Sequence, residues 1–314
     1  MKYSYDTFND SNNKYLIIRF PSQFRNNVWA EEFGEIQLEI SKLTDEISGI
    51  ILDISNCVWI DPMPLLSLLL SISEKNTAKF DVKLILPQIG DNNGKSNKVL
   101  AFLHTEGFLE QFIRNNVSIY SSGFKLGFHD FKKYETLINS LSYSNSTIIK
   151  ASVCDLEQVV RTKSIDEWIN KTIEDRQYSL KNKVDSASVD EVITRLRLLL
   201  SETIGNVYEH AYDTNPIKNV AFYVRFRNGL GNNKIHISER KRLHFFFYEE
   251  HINSPKLERY FVDDIFSFIE VFVIDSGKGM SVNYIKDIQN EKYPFRKAWK
   301  RAFLEGQRDR KSVV

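Results

Sequence analysis

The sequence predicts a mixed α/β protein (α/β with α+β character) built as two units, and three observations carry that expectation. The chain has 314 residues, too many for one small domain and about right for two. Its first half alternates short β-branched and apolar runs with helical stretches that have an apolar face. Its second half opens with one long Pro-free helical stretch and continues as several strand-like runs, the pattern of an α/β sandwich.

In chain order, residues 14–20 (KYLIIRF) are β-branched and aromatic and are closed by Pro21, which marks a strand. Residues 29–47 are expected to be helical, with Phe33, Ile36, Leu38, Ile40 and Leu43 giving an imperfect apolar face. Residues 49–54 form a mostly apolar run, read as a strand buried on both faces. Asp61 and Pro62 then offer a cap and a first helical position. The helix they start has a broad apolar face of Leu65, Leu66, Leu68, Leu69 and Leu70. Residues 82–86 are another strand, stopped by Pro87, and the polar, Gly/Asn-rich stretch 88–98 is a loop by composition. Residues 98–114 read as a helix broken or ended near Gly107. The stretch 117–150 is ambiguous, with 146–153 (STIIKASV) either one more strand or the exit from the domain.

Residues 155–182 are read as one or two connecting helices carrying Val159, Val160, Ile165, Trp168, Ile169 and Ile173. The second unit opens on a helix at 189–212, with caps offered by 185–188 (DSAS) and Gly205 as its one glycine. Strands are expected at 219–227, 234–238, 243–250 and 268–275, and a helix at 284–306. The expected division is therefore 1–150, a helical connector at 151–184, and 185–314.

Lys and Arg number 42 against 41 Asp and Glu, a formal net charge of +1, so no global field points to nucleic acid or an acidic membrane. Cys57 and Cys154 lie far apart and form neither a metal-spacing pattern nor a disulfide framework, which fits a reducing cytoplasm. No signal-peptide pattern is seen at the start, and the longest apolar run falls far short of the ~20 residues of a membrane helix. No His or Cys spacing suggests a transition-metal site, and no Walker-type phosphate loop is present. The short basic run Arg240–Arg242 can touch phosphate or an acidic partner, and Arg308, Arg310 and Lys311 can meet phosphates, but solvation is the favoured reading of both.

Two segments carry chemistry. In Glu202-Thr203-Ile204-Gly205-Asn206-Val207-Tyr208-Glu209-His210-Ala211, the residues Glu202, Asn206 and His210 are spaced i, i+4, i+8 and share one face of a helix. Leu198, Leu199, Ile204 and Val207 are expected to bury other parts of its surface. An Asn oxygen is a neutral hard ligand suited to Mg²⁺, and a Glu one turn away can orient or deprotonate water. The alternative is a solvated face that happens to carry these three. The second segment is the apolar strand ending at Asp275, followed by Gly277, Gly279 and Met280. The carboxylate can accept from an adenine amino group, the glycines let backbone approach a flat base, and Met280 can pack on a ring. A plain D-S-G turn is the alternative.

Together the segments resemble the N box (E-x-x-x-N-x-x-x-H-A) and the G1 box (D-x-G-x-G) of the GHKL (Bergerat-fold) ATPases and kinases, over roughly residues 185–310. The resemblance implies Mg²⁺ on Asn206, Glu202 as the base for water, adenine read by Asp275 between Gly277 and Gly279, and a phosphate or structural role for His210. The family's second glycine box is not visible: residues 302–311 resemble the start of its ATP lid, and the sequence stops at Val314. A fragment or a degenerate domain is the implied alternative.

The first half resembles STAS domains through Ile51-Leu52-Asp53-Ile54-Ser55, then Trp59-Ile60-Asp61-Pro62, the Leu-rich helix, and Leu103-His104-Thr105-Glu106-Gly107-Phe108. Such domains bind partner proteins, often GHKL kinases. A phosphorylatable Ser or Thr is not obvious here, because Pro62-Met63-Pro64 occupies the switch region. The expected function is an ATP- and Mg²⁺-binding ATPase or ATP-dependent conformational switch with a protein partner or self-association. Stretch 155–182 holds no His, which disfavours a histidine kinase. An anti-sigma-type kinase and a non-catalytic interaction module stand as alternatives.

Overall fold

The computed structural model describes residues 4–10, 13–24, 47–75, 80–131, 145–181, 186–211, 218–231, 265–275 and 277. The fold is mixed α/β, as the alternation of periods in the sequence requires. The first unit is a six-stranded sheet in the order β1-β2-β4-β6-β7-β8. Its strands are β1 (Ser4–Asp10), β2 (Asn13–Arg19), β4 (Gly49–Asp53), β6 (Asp81–Leu86), β7 (Ser118–Ser121) and β8 (Phe124–Lys125). The four central strands β2, β4, β6 and β7 are parallel, and β1 and β8 pair antiparallel at the edges. A small parallel ladder joins β3 (Gln23–Phe24) to β5 (Trp59–Ile60).

Parallel neighbours need crossovers. Helix α1 (Pro62–Lys75) links β4 to β6, and α2 (Lys95–Thr105) with α3 (Phe108–Arg114) links β6 to β7. Pro62 does occupy the first helical position. The five leucines of α1 are each at most 3% exposed and form the centre of the first core. Helix α2 starts at Lys95, earlier than composition suggested, after a turn that uses left-handed Gly90, Asn92, Asn93 and Gly94. The break between α2 and α3 falls at Gly107, whose φ of 83° and 3.0 Å clearance to Lys150 Cβ exclude a side chain.

The second sheet has the order β11-β10-β9, all antiparallel: β9 (Asn145–Asp155), β10 (Asn219–Gly231) and β11 (Ile265–Asp275). The ambiguous stretch 146–153 is thus a strand of this sheet, and it runs across the expected 150/151 division. Between β9 and β10 come α4 (Leu156–Thr162), α5 (Ile165–Lys181) and α6 (Ser186–Asn206). Asp155 caps α4 by accepting the N–H groups of Glu157 and Gln158. The connector is therefore two helices, and the longer, α5, packs on β9 and α6. All but the last residue of the helix expected at 29–47, the strands at 234–238 and 243–250, and the helix at 284–306 lie outside the described residues.

Helix α1 packs against all three strands of the second sheet, and α3 against β9. The layers run sheet, helices, sheet, helices. Strand β10 alternates accordingly: Ala221 and Tyr223 join the first core, and Val220, Phe222 and Val224 join the second, with Ile169, Ile173, Leu196 and Leu200. Both faces of this sheet are buried, which is why residues 220–224 read as one continuous apolar run.

A polar joint ties the layers. Tyr223 donates its hydroxyl to Glu106 at 2.6 Å, Thr147 donates to the same carboxylate oxygen, and Ala151 N–H reaches the Glu106 carbonyl at 2.9 Å. Strand β9 bulges at Lys150 and Ala151, where its pairing with β10 shifts, and the bulge seats on the α2–α3 corner. Asn219 Nδ2 adds a hydrogen bond to Ser73 Oγ at 3.3 Å. Among the described residues, no helix is long and apolar enough to cross a membrane.

Candidate functional site

Helix α6 buries Ile193, Leu196, Leu200 and Ile204, and Val207 continues the stripe one turn on. That 3-4-4-3 spacing is the periodicity of one helix face. The expectation for Leu198 and Leu199 is corrected: they are 64% and 50% exposed and bury no part of the core. A run of three leucines cannot all face inward at 100° per residue, and only Leu200 falls on the stripe. Opposite the stripe, Glu202 and Asn206 are both exposed, one turn apart on the same face.

The α-helix ends at Asn206, and Val207–Ala211 continue as one π turn. His210 is therefore not on the straight extension of α6 that the i+8 spacing assumed. The wider i→i+5 winding advances each residue by a smaller angle, so His210 swings back from the drift that regular α geometry would add. It is exposed, with Nε2 3.5 Å from the Glu209 carboxylate. Beside Asn206, Gly205 faces open space, and a Cβ there would meet nothing within 4 Å.

Strand β11 carries Ile269, Val271 and Val273 toward the α5–α6 core and Phe272 and Ile274 toward the α1 side. It delivers Asp275, exposed, to the sheet end opposite Val220. Asp275 Oδ1 accepts the Gly277 N–H at 2.9 Å, a side-chain turn that fixes the carboxylate against its own backbone. Its other oxygen has no hydrogen bond among the described residues. Gly277 is explained by closeness: a Cβ built there would collide with the Ala211 carbonyl and lie 2.5 Å from Ala211 Cβ. Lack of room beside Ala211 demands glycine here.

The structure thus brings the end of the Glu202–Ala211 segment onto the Asp275–Gly277 segment. Gly279 and Met280 lie outside the described residues, as do the basic groups at 240–242 and 308–311. Among the described residues, no three His, Cys, Asp or Glu side chains cluster to hold a metal ion.

One residue that sequence reasoning passed over stands at this junction. Lys218, just before β10, donates to the Tyr208 carbonyl at 3.0 Å and lies 3.5 Å from Glu157 and 4.2 Å from the centre of the Tyr208 ring. The available signal was a basic residue soon after a helix end, which in this sequence is too common to single out. Compared with known proteins, the chain matches no family model, no curated protein and no solved structure.

Proposed function

We propose that the second unit binds ATP with Mg²⁺ as a GHKL-type domain and acts as an ATPase or ATP-dependent conformational switch. The observation that carries this reading is the contact of Gly277 on Ala211. Two segments that resemble the N box and the G1 box, distant in sequence, converge where one nucleotide would need both. The donor set also fits. Asn206 offers a single neutral oxygen, suited to an ion that keeps several waters and is held mainly by phosphate oxygens. Asp275 has one oxygen engaged by Gly277 and the other left to accept from an amino group such as that of adenine. The open space beside Gly205 leaves the α6 face accessible next to Asn206.

In this reading Asn206 holds Mg²⁺, Asp275 orients the base, and Glu202 takes the proton from water if ATP is hydrolysed. His210, on the π turn, takes a phosphate or structural role. The first unit is a STAS-like module for a protein partner or a second copy of the chain, fixed to the back of the nucleotide-binding sheet through α1 and α3. Titration of the whole chain with Mg²⁺–ATP by calorimetry tests the proposal. The wild type should bind, and Asp275→Ala should abolish the heat of binding. Unchanged affinity in that variant would remove Asp275 from the site. Glu202→Ala should bind ATP and release no phosphate; persistent turnover would assign the base elsewhere. Transfer of labelled phosphate to a protein partner would favour the kinase alternative.

A further inference from the structure

Four elements meet at the end of the Glu202–Ala211 segment: the π turn, the start of α4, the entry to β10 and the exit of β11. Strands β10 and β11 pair Val220 with Asp275, so Lys218 stands two residues beyond that pair, at the strand end where Gly277 follows Asp275. Its side chain is 15% exposed and its ammonium is turned toward the helices, where it bonds the Tyr208 carbonyl and faces Glu157. Its own carbonyl accepts the Leu156 N–H at 2.8 Å. Lys218 therefore ties α4, the π turn and β10 together.

The last carbonyls of a helix have no partner within it and carry the negative end of its dipole. The Lys218 ammonium gives the Tyr208 carbonyl, between Asn206 and Ala211, a charged donor. The Ala211 end of that turn is the surface on which Gly277 rests.

We propose that Lys218 is a positioning residue for the nucleotide site. It clamps the π turn at Tyr208, holding Ala211 against Gly277 and so fixing the α6 face of Asn206 relative to Asp275. The inference rests on the ATP reading above and deepens it, assigning a role to a residue outside the two motifs. Lys218 acts through backbone, since its nitrogen is engaged on the side of α4 and the π turn.

The test uses the full chain and calorimetry with Mg²⁺–ATP, well below the melting temperature, with Lys218→Met, Lys218→Gln and Lys218→Arg. Loss of a charged hydrogen bond predicts affinity about tenfold weaker or more in Met and Gln, and recovery to within about threefold in Arg. A role in stability alone would lower the melting temperature and leave affinity unchanged where every variant is folded. Hydrogen exchange without nucleotide gives a second reading: amides 207–211 should exchange faster in Lys218→Gln. Wild-type affinity in the Met and Gln variants, no rescue by Arg, or unchanged exchange at 207–211 would each overturn the proposal. No binding by the wild-type chain would instead sink the ATP reading, and this inference with it.

Discussion

Gly277 and Ala211 approach so closely that a methyl group on the first would stand 2.5 Å from the methyl of the second. The contact joins the strand end that bears Asp275 to the helix end that follows Asn206. Gly277→Ala must push one of them away, and overpacking of this kind costs about 1–3 kcal/mol. Gly205→Ala is the opposite case: open space surrounds the position, and Ala in a helix is worth about 0.5–1 kcal/mol over Gly. Urea denaturation should therefore move the midpoint down for Gly277→Ala and up for Gly205→Ala. Equal midpoints would mean that the close approach is not a constraint.

The leucine triplet in α6 gives a second contrast. Leu200 is 1% exposed and packs with Ile193, Ile204 and Phe222, whereas its two predecessors face outward. Leu200→Ala should cost about 2–5 kcal/mol by loss of buried surface and the cavity left behind. Leu198→Gln and Leu199→Gln should stay within about 0.5 kcal/mol of the wild type. The measurement is the same denaturation series. A large loss at 198 or 199 would show that this face is covered in the folded protein.

The two contrasts mark what the sequence makes legible. Period and punctuation suffice for α1, where Pro62 and five leucines agree, and for the break at Gly107. They also single out Glu202, Asn206 and Asp275 as candidates, since residue type and spacing are read without coordinates. The leucines at 198 and 199 mislead because apolar type is not apolar phase: a helix face is fixed by the whole stripe from Ile193 to Val207. The π turn is hidden for a related reason: its neighbours, Lys218 on the Tyr208 carbonyl and Gly277 against Ala211, are distant in sequence or outside the helix pattern. The stretch 146–153 is ambiguous in sequence because a strand's sheet is chosen by partners distant in sequence, here β10 and the α2–α3 corner.

The joint between the layers depends on a buried carboxylate. Glu106 is fully buried; Tyr223 and Thr147 both donate to one of its oxygens, and the other has no hydrogen-bond partner among the described residues. Tyr223→Phe keeps the ring contacts with Phe108 and Phe272 and removes one of two donors. A buried polar group left short of a partner costs about 1–3 kcal/mol. The expected result is a lower denaturation midpoint at unchanged secondary structure by circular dichroism. Because α1 and α3 share a core with β10, a single unfolding transition should be kept. Separate transitions for the two halves would refute the shared core.

The cysteines make a prediction about pH. Burial, and secondarily the Asp53 carboxylate, pushes the Cys57 thiol up from 9.0 to about 12. Cys154 is raised to about 12 in the same way, by burial first and then by Asp155. Both folded-state values lie above the unfolded one, so the folded chain holds thiol protons that the unfolded chain releases. Stability from this source is complete below about pH 9 and is lost as pH rises toward 12. The reactive species is the thiolate, so at pH 8.5 alkylation should be slow for both cysteines in the folded chain and fast for both in guanidinium. Cys57, whose Sγ also donates to the Pro21 carbonyl at 3.1 Å, should be the slower of the two. Rapid labelling of Cys57 in the folded chain would contradict its place in the first core.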